Sequence, residues 1–163
     1  MGNAAPATDT AGQGNCGMGQ EDRFDLQRFV SAQEPVIGVV LGELRAARKR
    51  THWMWFVFPQ HRGLGRSYNA QFYGIGSMDE ARAYLTHPVL GPRLEECTRL
   101  VLESGGTSLN AIFGSPDDMK FCSSMTLFAL ASGKPDSVFA KAIARWCDGR
   151  QDERTVALLR QDD

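Results

Sequence analysis

Pro88-Val89-Leu90-Gly91-Pro92-Arg93-Leu94-Glu95-Glu96-Cys97-Thr98-Arg99-Leu100-Val101 carries Leu90, Leu94, Cys97 and Val101 at intervals of four, three and four. That spacing returns once per helical turn, so the four side chains form a single apolar stripe that must be buried against another element. A helix opened by Pro88 and stopped by Gly105-Gly106 is predicted. The same period recurs on both sides. Leu26, Phe29 and Val30 share a face ahead of Pro35, and Val36, Val39, Val40 and Leu44 make another stripe. The second helix is predicted to reach Lys49, where Arg45, Arg48 and Lys49 would meet the negative pole of its dipole. Ser77-Met78-Asp79-Glu80 is a capping box for a helix to Leu85, and Ser108 can cap a turn through Ile112-Phe113. Ser115-Pro116-Asp117-Asp118 reads as an N-cap serine, a first-turn proline and two dipole-matched acids ahead of Phe121, Met125 and Phe128. Val138, Phe139, Ala142, Ile143 and Trp146 give the next stripe, and Asp152 to Leu159 a last short helix. The expected class is all-α, with about seven helices and at most one or two short extended pieces. The aromatic run Trp53 to Phe58, closed by Pro59, is the candidate for an extended piece.

A chain of 163 residues with 42% hydrophobic content is long enough for one buried core. Eighteen Lys and Arg against 19 Asp and Glu leave a net charge of -1, which argues against a general nucleic-acid binder. No apolar run approaches the roughly 18 residues of a membrane span, so no membrane partner is expected and the placement is cytoplasmic, with reduced thiols. Cys16, Cys97, Cys122 and Cys147 form no C-x-x-C pair, and His52, His61 and His87 form no metal-ligand spacing. Neither a metal nor a cofactor is expected. Residues 1–21 contain no aromatic residue and no Lys or Arg, and read as a disordered leader to a single domain over residues 22–163.

Chemistry concentrates in Arg48-Lys49-Arg50-Thr51-His52-Trp53-Met54-Trp55-Phe56-Val57-Phe58-Pro59-Gln60. Between Glu43 and Arg66 stand six Lys or Arg and one acid, a local charge of +5 in an otherwise balanced chain. Cations bond phosphate or carboxylate strongly, and indole faces stack on planar rings. Arg48, Lys49, Arg50, Trp53, Trp55 and Gln60 are therefore candidate ligand-binding residues for an anionic, planar small molecule. A second stretch supplies Lys120, Ser123 and Ser124 on helical spacing, and His52 or Asp118 is the candidate proton-handling residue. Competing readings are plain: the aromatics are core, the cations a solvated edge, and the hydroxyls bond back to the preceding turn. Cys122 between Lys120 and Ser124 could be a nucleophile only if His52 reached it, and a buried cysteine is more often an inert small hydrophobe. The basic aromatic segment could also serve a non-enzymatic module that meets a protein or a nucleic-acid strand.

These stretches resemble the bacterial family catalogued as domain-of-unknown-function family 1810. The resemblance is carried by Asp25 to Val30, Glu43-Leu44-Arg45, Arg48 to Arg50, His52 to Gln60, Gly63 to Ser67, His87 to Gly91, Ile112-Phe113-Gly114 and Ser123 to Phe128, and spans about Asp22 to Leu159. It implies an all-α domain. Ala47 stands where that family usually has Gly, and Thr51 where Ser is common. Arg28-Phe29 with Ala32-Gln33, and Asp79-Glu80-Ala81, are also faintly similar to NADAR domains, whose Trp-Gly and Gly-Asn-Leu-Gly elements are missing here. That similarity implies an ADP-ribose-like or nucleotide ligand and N-glycosidic bond hydrolysis.

Overall fold

A computed structural model describes residues 22–162; the leader expected over residues 1–21 lies outside the described residues. Among the described residues ten α-helices run in the order α1 (Gln27–Gln33), α2 (Ile37–Arg45), α3 (Met54–Val57), α4 (Tyr68–Phe72), α5 (Met78–Thr86), α6 (Leu90–Leu102), α7 (Leu109–Phe113), α8 (Asp117–Ser132), α9 (Val138–Trp146) and α10 (Glu153–Asp162), with a 3₁₀ turn at Arg62–Leu64. The class is all-α, and the extended pairing among the described residues is one isolated bridge, His61 with Ile75. Seven helices are the amphipathic segments read from the sequence. The others, α3, α4 and α7, are one-turn pieces too short to show a stripe.

The caps explain most starts. Ser67, Ser77, Ser108 and Ser137 each accept a hydrogen bond from the backbone N–H three residues on. The start of α8 differs from expectation: Pro116, not Ser115, holds the N-cap position and no side chain caps it, while Asp117 and Asp118 occupy the first turn. Helix α6 starts at Leu90 rather than Pro88, and His87 Nδ1 accepts the N–H groups of Val89 and Leu90.

Helix α8 lies at the centre, packed against α5, α7, α9 and α10, while α6 joins α5, α2 and α9 on its other side. All four residues of the stripe quoted first are buried, Leu90, Leu94, Cys97 and Val101. Gly91 lets α6 pass directly over the Leu85 carbonyl, where a Cβ would collide. Within the run Trp53 to Phe58, Met54–Val57 is a one-turn helix and not an extended piece. Trp53, Met54, Val57 and Phe58 are buried, the i, i+1, i+4, i+5 pattern of one helix face, and Phe58 packs against Trp53, Phe113 and Phe121. A continuous apolar run has no polar phase from which to read that period.

Helix α2 ends at Arg45, short of Lys49, and Val39 is 51% exposed although Val40 and Leu44 are buried. The stop is a Schellman turn. Ala47 N–H bonds to Leu44 O, Arg48 N–H bonds to Glu43 O, and Ala47 takes φ +56°. An L-residue in that region carries strain of roughly 1 kcal/mol relative to glycine. Ala47→Gly is therefore expected to raise the unfolding free energy by about 1 kcal/mol, a gain read as a higher urea midpoint at unchanged slope. An unchanged or lower midpoint would count against strain at this turn.

Candidate functional site

The turn at Ala47 sends Arg48 to Thr51 back over the end of α2, where Glu43 gathers them. The Glu43 carboxylate accepts the N–H of Arg50 at 2.9 Å, the N–H and hydroxyl of Thr51 at 3.2 and 2.9 Å, and the Trp53 indole N–H at 2.8 Å. Burial alone would raise its pKa, but the Arg50 N–H, the Trp53 indole and the two Thr51 donors together outweigh burial and hold the carboxyl below its ordinary value. In the sequence Glu43 stands out as the single acid among six cations and within the family-like run Glu43-Leu44-Arg45.

The two candidate stretches meet through Asp117. Lys49 Nζ lies 3.0 Å from Asp117 Oδ2, and Lys120 Nζ lies 3.6 Å from Asp117 Oδ1. Each ammonium sits 5.1 Å above an indole ring, Lys49 over Trp53 and Lys120 over Trp55. Beyond this bridge, Trp55, Gln60, Asn69, Tyr73 and Lys120 surround a hollow whose floor includes Met54 and Phe58. Its free volume is about 10 Å³, enough for about one water molecule. Helix α4 contributes Asn69 and Ala70 to the lining. No other protein group bonds the side-chain amides of Gln60 and Asn69 or the Tyr73 hydroxyl among the described residues. Burial, and less strongly Tyr68, push the Tyr73 phenol up, so it stays a neutral hydroxyl at physiological pH.

A profile of the family described as "Protein of unknown function (DUF1810)" matches residues 23–159. The chain belongs to the DUF1810 family. Among solved structures, the conserved hypothetical protein Rv1873 from Mycobacterium tuberculosis is 59% identical to it, with a TM-score of 0.83, over 85% of this chain and 99% of that one. No curated protein matches the chain.

Within the DUF1810 domain the expected site residues separate. Trp55, Gln60 and Lys120 come together at the hollow, whereas Trp53 is 1% exposed inside the core and cannot stack on a ligand. Lys49 is held by Asp117, with its side chain 7% exposed. Arg48 and Arg50 are exposed at the outer edge, with His52 beside them. Ser124 is fully buried, and Ser123 donates to Met119 O, the local bond that the plainer reading anticipates. Asp118 accepts from Asn110 and from the Met119 N–H, and it lines a separate groove of about 380 Å³ on another face of α8. Neither His52 nor Asp118 is among the residues that line the Trp55 hollow.

The expectation of reduced thiols is also corrected. Cys122 and Cys147 form a disulfide between α8 and the end of α9, in the wall of that groove, so Cys122 is not a free nucleophile. Cys97 is free but fully buried, and burial, reinforced by Glu96, pushes its thiol up to about 12. Of the remaining histidines, His61 Nδ1 accepts the Gly63 N–H, which leaves Nε2 to donate to Asp162 at 2.7 Å. The polar atoms behind the NADAR similarity serve the fold: Gln33 donates to Phe56 O and Tyr84 Oη, and Arg28 pairs with Glu80 at 2.8 Å. Among the described residues no cluster of three His, Cys, Asp or Glu is placed to hold a metal, and no helix is long and apolar enough to cross a membrane.

A larger groove, about 720 Å³, lies between α5, α6 and the α8–α9 turn, over Leu85, Leu102 and Phe139. Its rim mixes signs, with Arg99 and Lys141 among four cations and Glu95 and Glu103 among three acids. Those charges select neither cations nor anions. The Trp55 hollow has a single charged residue in its lining, Lys120.

Proposed function

We propose that this DUF1810 chain binds an anionic, planar small molecule, nucleotide-like in character, across the hollow between Trp55 and Lys120. The observation that carries the reading is the Lys49–Asp117–Lys120 bridge. Asp117 would repel an anion, but Lys49 lies closer to it than Lys120 does and neutralises it. Lys120 therefore keeps its charge for a ligand while remaining fixed over the Trp55 ring. With room for little more than a water inside, the ligand lies over the hollow and inserts one polar group.

Binding fits the lining better than hydrolysis does. Tyr73 and Lys120 are the titratable groups among its residues, with no carboxylate or imidazole to move a proton near neutral pH. The test is a melt with adenosine monophosphate, NAD, inorganic pyrophosphate and ribose 5-phosphate. A ligand at a hundred times its Kd stabilises the native state by about 2.7 kcal/mol, several degrees in Tm. Lys120→Met, which keeps the aliphatic stem, should abolish the rise without lowering the ligand-free midpoint by more than a degree or two. No rise for any probe with the native chain would overturn the proposal.

A further inference from the structure

We propose that the exposed Tyr68–Phe72 stack is the platform on which the base of a nucleoside phosphate lies, its phosphate directed toward Lys120. This deepens the proposed function and rests on its claim that Lys120 holds an anion. Tyr68 is 76% exposed and Phe72 39%, and their rings are stacked at 5.7 Å with only 10° between planes. Phe72 covers one face of Tyr68, so the opposite face is free to extend the stack by one more ring.

The platform is rigid although it is exposed. Phe72 meets Tyr73 edge-on at 4.8 Å, and Tyr73 packs on Phe56 and Phe29, so the aromatic series runs from core to surface without a gap. Ser67 caps α4, and the Gln71 amide donates to Arg62 O and Gly65 O. Arg62 answers with bonds to Gln71 O and Gly74 O. Gly74 packs so closely on this lattice that a Cβ there would lie 2.5 Å from Arg62 Cα and 2.6 Å from Ala70 O. A rigid ring loses little freedom when a base settles on it.

The same helix that presents Tyr68 gives Asn69 and Ala70 to the hollow, and Tyr73 follows at its C-cap, so platform and hollow share a wall. A Cβ at Gly65 would lie 2.6 Å from the Ala70 Cβ and 3.9 Å from the Gln60 amide nitrogen, so this loop packs on the same helix. Lys120 and helix α4 thus border a surface that offers an aromatic face and two unengaged amides. That surface complements a planar ring with polar edges joined to an anion. An apolar peptide would leave the cation and both amides unmatched.

The experiment compares adenosine monophosphate, ribose 5-phosphate and a 5′-phosphorylated hexa-adenylate by titration calorimetry on the native chain, Tyr68→Leu and Lys120→Met. Tyr68→Leu keeps an apolar side chain on the surface but removes the stacking face; an unchanged melting midpoint confirms its fold. It should weaken adenosine monophosphate on the order of tenfold or more and leave ribose 5-phosphate unchanged. Lys120→Met should weaken both alike. Whichever of the mononucleotide and the strand binds the native chain more tightly identifies the source, free or polymeric, and either order supports the platform. If Tyr68→Leu weakens both phosphates equally or neither, the platform is overturned while the anion site stands. If no phosphate binds the native chain, the anion site falls and the platform with it.

Discussion

Glu80→Gln is expected to destabilise the domain by about 3–5 kcal/mol, because it removes the charge partner of a buried guanidinium without removing the guanidinium. Arg28 and Glu80 side chains are 6% and 5% exposed. All five N–H donors of Arg28 are engaged: Nε by Phe72 O, Nη1 by Phe24 O and Asp25 O, and Nη2 by Gly74 O and Glu80. The other Glu80 oxygen accepts the Gly76 N–H at 2.9 Å. A glutamine offers one acceptor and one donor group to a site that needs two acceptors, so one native donor loses its partner and the charge is left uncompensated. Domain stabilities run about 5–15 kcal/mol, so the loss consumes roughly a fifth or more of the total. Arg28→Met combined with Glu80→Leu should cost less than Glu80→Gln alone, since it removes both buried charges and leaves only neutral backbone groups, the carbonyls and the Gly76 N–H, to rehydrate. The measurement is the urea unfolding free energy of the three proteins. A Glu80→Gln chain within about 1 kcal/mol of the native one would mean that the pair behaves like a surface ion pair. Because Arg28 grips Phe72 O at the end of α4, partial unfolding of the weaker variant should start at the wall that carries Tyr68.

The long helices were legible because each states its period, although the stop of α2 at Arg45 was not stated. Ser77 and Ser137 cap where a serine precedes an apolar stripe, and Gly133 ends α8 in the left-handed conformation at φ +67°. Helix α4 was missed because Tyr68 to Phe72 places its aromatics outward, where no stripe forms; Ser67 was the available signal. The site was harder to read. Trp53 and Trp55 are equivalent in a sequence, yet one indole is turned inward by a hydrogen bond to Glu43 and the other stays at the surface under Lys120. That difference depends on the turn at Ala47, whose positive φ no alanine advertises. Cys122 and Cys147 are 25 residues apart, and only the packing of α9 on α8 brings them together.

Glu43→Gln is expected to cost on the order of 3 kcal/mol at pH 7, with a loss that shrinks as the solution is acidified. The carboxylate binds four donors, and hydrogen bonds to a charged acceptor contribute about 1.5–3 kcal/mol each before exposure of Arg50 and Thr51 to water discounts theirs. The Trp53 indole is the donor that water cannot reach, so most of the loss falls on it. The folded carboxyl titrates below its ordinary value, so on acidification the unfolded chain takes up the proton first. Glu43 therefore contributes its full stabilisation above the ordinary glutamate range, loses it as pH falls through the folded pKa, and contributes nothing below both values. Glutamine has no such titration. Urea midpoints at pH 7, 5 and 3 should show the native and variant chains converging toward low pH; a constant gap would mean that the carboxylate's charge is not what holds the segment. The variant also frees Trp53 and the Arg48 to Thr51 turn, so Lys49 should lose its fixed approach to Asp117. Asp117 would then be left to oppose an anion at Lys120. Phosphate binding should weaken in Glu43→Gln even at pH 7 under conditions where it remains fully folded, and this effect joins the buried acid to the surface site.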